Sequence, residues 1–69
     1  MPISFCKVGE RVIVKKVRGN EKIKNHLKEL GFVEGSEVVI MNKVNNSVIV
    51  QIKESRIALD EKMASHILV

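Results

Sequence analysis

The fold of this chain depends on one stretch, Leu27-Lys28-Glu29-Leu30-Gly31-Phe32-Val33-Glu34-Gly35. Apolar residues before it follow a helical spacing, and those after it alternate as they do in strands. Gly31 follows the last apolar residue of the helical stripe, and we expect the left-handed conformation there, which costs a residue with a Cβ about 1–2 kcal/mol. Gly35 predicts a tight turn into a strand. Phe32 is one of two aromatic residues, so it is predicted to fill the space between helix and sheet.

A short amphipathic helix is predicted to end at this stretch. Asn20 is a favourable N-cap, and Glu21 is favourable in the first turn. Ile23, Leu27 and Leu30 are spaced four and three apart, so they form one apolar stripe. A helix this short is not stable alone, and we expect it to pack on a sheet.

Five short strands are predicted around this helix, at 11–15, 36–40, 47–53, 56–59 and 66–69. Asn45-Asn46 predicts a hairpin and Glu54-Ser55 a second turn, while Asp60 is expected to cap a single helical turn. Short strands joined by tight turns favour closure, because a closed sheet has no exposed edges. We therefore predict a mainly β fold: a single domain over residues 1–69, built as a small SH3-like five-stranded barrel, closed or nearly closed, with one inserted helix and a short helical turn.

The charge is concentrated in the first half of the chain. The net charge is +4, and residues 1–30 carry eight Lys or Arg against three Glu, whereas residues 31–69 carry four basic against five acidic residues. A lone cysteine, Cys6, excludes an internal disulfide and fits a reducing compartment. No signal peptide and no apolar run of about 20 residues is found, so a cytoplasmic location is expected.

Catalysis is not expected from this sequence. It has no Cys–His pair close in sequence, no serine-centred elbow and no phosphate-binding glycine loop. The candidate metal ligands, Cys6, His26 and His66, lie far apart and lack the close pairs of structural zinc sites. They allow an Fe²⁺ or Zn²⁺ site, or a metal-bridged dimer, as one hypothesis. In the alternative, Cys6 fills the core and the two histidines lie at the surface, so no cofactor is predicted.

A binding module with a basic face remains. One hypothesis is a nucleic-acid or anionic-surface binder using Lys15, Lys16, Arg18 and the helix, with affinity that falls steeply as salt rises. The scarcity of aromatic residues argues against single-strand binding, which depends on base stacking. The other hypothesis is a surface for an acidic protein partner.

The motif Leu27-x-x-Leu30-Gly31-Phe32-x-x-Gly35-x-x-Val38 resembles the central signature of the FeoA family. Similar spacing continues at both ends of the chain, from Gly9-x-x-Val12 onward and through Ile57-Ala58-Leu59 to Val69. The resemblance implies a cytoplasmic SH3-like barrel that accompanies FeoB, a membrane ferrous-iron transporter with a cytoplasmic GTPase domain. It further implies an accessory or regulatory subunit that is not itself an enzyme.

The partner-binding surface is expected on the basic helix, at Lys22, Lys24 and Lys28, with the approach of the partner set by Gly31 and Gly35. The helix must turn its apolar stripe to the sheet, which leaves these lysines exposed. The sequence departs from the family in one turn, where Asn45-Asn46 stands in place of the usual Gly-Pro, and after Leu59, where Asp60 stands at a position that is often basic in the family.

Overall fold

The computed structural model describes residues 1–69 and consists of six strands, two α-helices and a short 3-10 turn. After the 3-10 turn at Ile3–Phe5, the elements in chain order are β1 (Arg11–Ile13), β2 (Lys16–Val17), α1 (Glu21–Leu30), β3 (Glu37–Val44), β4 (Ser47–Ile52), β5 (Ser55–Asp60), α2 (Glu61–Ala64) and β6 (Ile67–Leu68). The predicted mainly β class, the inserted helix and the helical turn are confirmed.

The strands form two antiparallel sheets, one of four strands in the order β1-β3-β4-β5 and one of two strands, β2-β6. The strands thus number six instead of the predicted five, and they do not close into one barrel. The first predicted strand divides because the backbone changes partner: Val14 N donates to Ser36 O at 2.9 Å, and Lys15 N donates to Leu68 O at 2.7 Å. Val14, between the two strands, is buried as expected.

Both ends of α1 lie where the sequence predicts them. The Asn20 side chain accepts a hydrogen bond from Ile23 N at 2.9 Å, which satisfies one of the free amides of the first turn. At the other end Gly31 has φ 107°, its amide donates to Lys28 O, and Phe32 N donates to Leu27 O at 2.9 Å. This pair of bonds is a Schellman motif, so the glycine directs Phe32 back under the helix.

A single core lies between the sheets and the two helices. Phe32 and Leu27 are fully buried in it, together with the inward residues of β3 and β4 that strand alternation predicts: Val38, Ile40, Val48, Val50 and Ile52. Ile3 and Cys6 complete the core from the N-terminal segment, and Ile67 completes it from β6.

Two tight turns connect the last three strands of the large sheet. The Asn45-Asn46 hairpin is confirmed, with Asn45 at φ 54°. The next turn is at Lys53–Glu54, one residue earlier than predicted, because Lys53 adopts the left-handed conformation at φ 56°. The strand that follows therefore starts at Ser55.

The first and last residues of the chain are hydrogen-bonded to each other. The Met1 ammonium donates to Val69 O at 3.1 Å, and Val69 N donates to Met1 O at 2.8 Å. Pro2 forms an isolated antiparallel bridge with Leu68, so β6 has a second backbone neighbour besides β2. Neither α1 nor α2 is long and apolar enough to cross a membrane.

Candidate partner-binding groove

A groove of about 520 Å³ opens between α1, β2 and the turn that follows α1. Three short segments between residues 16 and 34 line it, and they contribute Lys16, Val17, Lys24, Lys28, Phe32, Val33 and Glu34. Basic side chains come from the helix and from β2, while the apolar surface comes from β2 and the turn. We call this feature the basic groove.

The rim of the basic groove carries three lysines. Lys24 and Lys28 are four residues apart on α1 and therefore lie on the same face, one turn above the other. The fold places Lys16 of β2 on the same groove. All three are exposed, and none is in an ion pair, since the one ion pair of the molecule joins Arg11 to Glu37 at 3.7 Å. The rim is thus positive, with Glu34 as its one acidic residue.

The floor of the basic groove is apolar. Phe32 is 1% exposed, so only an edge of it reaches the groove, whereas Val33 is 41% exposed and Val17 is half-buried. The Schellman motif at the end of α1 fixes the direction of Phe32 and Val33. A hydrogen bond from Ser36 Oγ to Gly31 O, at 3.1 Å, holds the same turn. The groove therefore has a fixed apolar floor under a charged rim.

Two of the predicted partner-binding residues, Lys24 and Lys28, are brought together on the basic groove. Lys22 lies elsewhere, in a shallow pocket of about 300 Å³ with Ile23, His26 and Met63. Gly31 and Gly35 do not line the groove, but they bracket the turn that carries its floor. A Cβ atom at Gly31 would lie 3.5 Å from Ile52 Cδ1, whereas a Cβ atom at Gly35 would have no other atom within 4 Å.

Sequence reasoning missed the apolar part of the groove, Val17 and Val33. Val17 breaks the alternation of the first strand, which was the one available signal. The break in alternation can be interpreted only with β6 in place, because the pairing of Val17 with Ile67 makes this segment a separate strand. Val33 carries no pattern at all, and only the direction of the chain after Gly31 brings it to the groove.

The candidate metal ligands are not brought together. Cys6 is fully buried in the core, as expected for a residue that fills space. His26 is exposed at the shallow pocket beside Met63. His66 is half-buried against Gly19, where a Cβ atom would lie 3.5 Å from its Nδ1 atom. No group of three or more His, Cys, Asp or Glu side chains in the chain could hold a metal ion.

Burial raises the pKa of the Cys6 thiol, and the nearby Glu10 carboxylate adds to the effect, which Lys43 and the N-terminal ammonium partly oppose. Because the thiolate is the reactive form, we expect Cys6 in the folded protein to react with a disulfide reagent about a hundredfold more slowly than in denaturant. Rates measured with and without urea check this. Equal rates would contradict the buried position.

The raised pKa of Cys6 also predicts a dependence of stability on pH. The folded state holds the thiol proton more tightly than the unfolded state, so this contribution is complete below the unfolded pKa, about 8.5, and is lost as pH rises through the folded value. The urea midpoint of the protein should therefore fall at alkaline pH by more than that of Cys6→Ala. Parallel curves for the two proteins would refute the prediction.

Comparison with known proteins agrees with the motif around Gly31. The model of the FeoA domain matches residues 1–69. A protein of Methanocaldococcus jannaschii described as a candidate Fe(2+) transport protein A is 35% identical over 68 residues, which is 99% of this chain and 83% of the relative.

Solved structures share the fold. FeoA of Stenotrophomonas maltophilia, crystallised with zinc and described as a prokaryotic SH3-domain protein, superposes with a TM-score of 0.87 at 30% identity, covering 99% of this chain and 87% of that one. The FeoA protein of Chlorobium tepidum superposes with a TM-score of 0.89 at 21% identity, covering 99% and 67%. The SH3-like architecture predicted from the sequence is thereby confirmed.

Proposed function

The chain belongs to the FeoA family, and on this premise we propose that it is a non-enzymatic accessory protein of ferrous iron transport that docks on the cytoplasmic part of a FeoB-type membrane transporter. The observation that supports docking is the basic groove, with three unpaired lysines above an apolar floor. In this proposal the protein works in the cytoplasm, at the inner face of the membrane.

The chemistry of the groove favours an acidic protein segment with one apolar side chain. The floor at Val17 and Val33 offers apolar surface to an anchor residue, whose burial supplies affinity. The rim lysines attract and orient an acidic segment, and they chiefly raise the rate of association. A bare anionic surface would use the lysines but not the floor, so the apolar floor favours a protein partner.

Gly31 and Gly35 act in this proposal through the backbone. They bracket the turn that carries the floor residues, and both have positive φ, at 107° and 87°. Lys22 lies at the neighbouring pocket, so it contributes through the field of the helix and not through contact in the groove. The proposal thus assigns direct contact to Lys24 and Lys28.

Docking can be tested by NMR titration of the isotope-labelled protein with the purified cytoplasmic GTPase domain of its cognate FeoB. We expect saturable amide shifts at Lys16–Val17, along the face of α1 that holds Lys24 and Lys28, and at Phe32–Glu34. Saturable shifts confined to another surface would refute the groove as the site. The absence of shifts at high partner concentration would refute docking on this domain.

A matched pair of variants tests the groove. Lys24→Glu with Lys28→Glu should weaken binding to the GTPase domain about tenfold or more, because two rim charges then repel an acidic segment. Lys22→Glu with Lys62→Glu makes the same change in net charge outside the groove, and a smaller loss is expected. Calorimetric titration measures both, and an equal loss would show that net charge, not the groove, drives binding. Unchanged circular dichroism should accompany each variant.

A further inference from the structure

β5 is an outer strand of the four-stranded sheet, with β4 on one side and no strand on the other. The direction of its hydrogen bonds follows from one contact at its end, where Glu61 N donates to Asn46 O at 2.7 Å. Bonded pairs alternate along an antiparallel ladder, so Leu59 and Ile57 also exchange their hydrogen bonds with β4. The residues between them must direct their backbone groups away from the sheet.

These outward residues are Arg56, Ala58 and Asp60, and all three are exposed. No hydrogen bond to a turn or loop uses the N–H or C=O of Arg56 or Ala58. The neighbouring helix α2 packs on β5 but does not cover these residues. An edge with free N–H and C=O groups is a template for another strand, unless its side chains oppose pairing.

The side chains on this edge carry opposite charges. Arg56 and Asp60 are four residues apart on the same face of β5, and neither is in an ion pair. Asp60 Oδ1 accepts the capping hydrogen bond from Met63 N at 2.7 Å, which leaves its other oxygen available. Charged residues deter edge pairing when like charges meet, so the register decides whether this edge repels or attracts a copy of itself.

We propose that β5 is an interaction surface for a second copy of this chain, which pairs antiparallel with it about a two-fold axis through Ala58. Ala58 of each copy then exchanges two hydrogen bonds with its counterpart, and its small side chain leaves the axis clear. Arg56 of each copy lies directly opposite Asp60 of the other, so the same charge pair forms twice by symmetry. The free backbone groups of the edge are satisfied at the same time.

Charge selects this register over its neighbours. Moving the axis by one residue toward the start of β5 sets Asp60 opposite Glu54. Moving it by one residue the other way sets Arg56 opposite position 62, which lies in α2 and offers no strand partner. A shift by two residues sets Arg56 opposite Arg56, or Asp60 opposite Asp60. Each shift either opposes like charges or leaves Arg56 without a partner on a strand, so only the register centred on Ala58 pairs Arg56 with Asp60.

The contact is small, and weak association follows from its size. One short strand per copy covers much less surface than the roughly 1,600 Å² of a standard stable interface, so a dissociation constant in the micromolar to millimolar range is expected. The contact lies outside the basic groove, and it therefore neither needs nor blocks the docking proposed above.

Sedimentation equilibrium over about a hundredfold range of concentration, reaching the millimolar range, tests the proposal. The average mass should rise from the 7.8 kDa of the single chain toward twice that value. Arg56→Glu should weaken dimerisation about tenfold or more, because a glutamate then faces Asp60 of the other copy. The control Lys15→Glu makes the same change in net charge between β1 and β2, away from the β5 edge, and should dimerise as the original protein does. The proposal would be overturned by a constant mass of 7.8 kDa at all concentrations, or by a variant Arg56→Glu that dimerises as tightly as the original protein.

Hydrogen exchange locates the contact without any substitution. The amides of Arg56 and Ala58 should exchange more slowly as concentration rises, whereas those of Ile57 and Leu59, already bonded to β4, should not change. Ala58→Pro removes an amide that β4 does not use, so the folded monomer should persist while dimerisation is lost. A dimer that leaves Arg56 and Ala58 unprotected, or that survives in Ala58→Pro, would place the contact on another surface.

Discussion

Phe32→Ala is expected to lower the free energy of unfolding by about 3–5 kcal/mol, because it removes a fully buried aromatic side chain and leaves a cavity. A domain of this length has a total stability of about 3–10 kcal/mol, so the variant should be largely unfolded or close to it. Urea unfolding followed by circular dichroism measures the loss. Phe32 also forms part of the groove floor, so stability and docking should fail together in this variant.

A conservative replacement shows how much of the stability lost in Phe32→Ala comes from lost side-chain volume. Phe32→Leu keeps a branched apolar side chain under α1, and it should cost about 1.5 kcal/mol. If Phe32→Ala cost no more than this, the residue would not lie in the close-packed core, and the structural role assigned to it would be wrong.

Gly31→Val should destabilise the protein by about 2 kcal/mol or more, because a β-branched residue is forced to keep a left-handed conformation at φ 107°. A single Cβ would find ordinary contact with Ile52 Cδ1 at 3.5 Å, so the cost arises chiefly in the backbone. The methyl groups of valine extend further toward that side chain and add to the cost. The urea midpoint should fall, while the slope of the transition should stay unchanged.

The control for the backbone argument is Gly31→Asn. Asparagine tolerates the left-handed region better than any β-branched residue, so it should recover part of the stability lost in Gly31→Val. Equal losses in the two variants would show that space at the site, and not the conformation of residue 31, sets the cost.

Features that depend on neighbours in sequence were predictable. The Asn20 cap, the Gly31 end of α1, the Asn45-Asn46 hairpin and the Asp60 cap each follow from the local chemistry of one or two residues. The burial of Val48, Val50 and Ile52 follows from strand alternation. In all these cases the structure is set by residues within a few positions of one another, through a cap, a turn conformation or an alternating apolar face.

Features that depend on distant partners were not predictable in the same way. The first strand divides because Lys16–Val17 pairs with Ile67–Leu68, and no pattern near Val17 predicts this pairing. The basic groove is missed for the same reason, since its rim and floor come from three separate segments. Lysines were expected on the exposed face of α1, but their grouping depends on where β2 lies, which separates Lys22 from Lys24 and Lys28.

The pairing of residues 1–2 with residues 68–69 has a consequence for the order in which the parts of the fold form. Ile3 and Ile67 belong to the same core, and β2 obtains its partner only from β6. Contacts of such long separation in sequence slow folding, because the loop between them must be closed first. The hairpins of the large sheet and α1 need only contacts that are close in sequence, so they can form before the small sheet and the N-terminal part of the core.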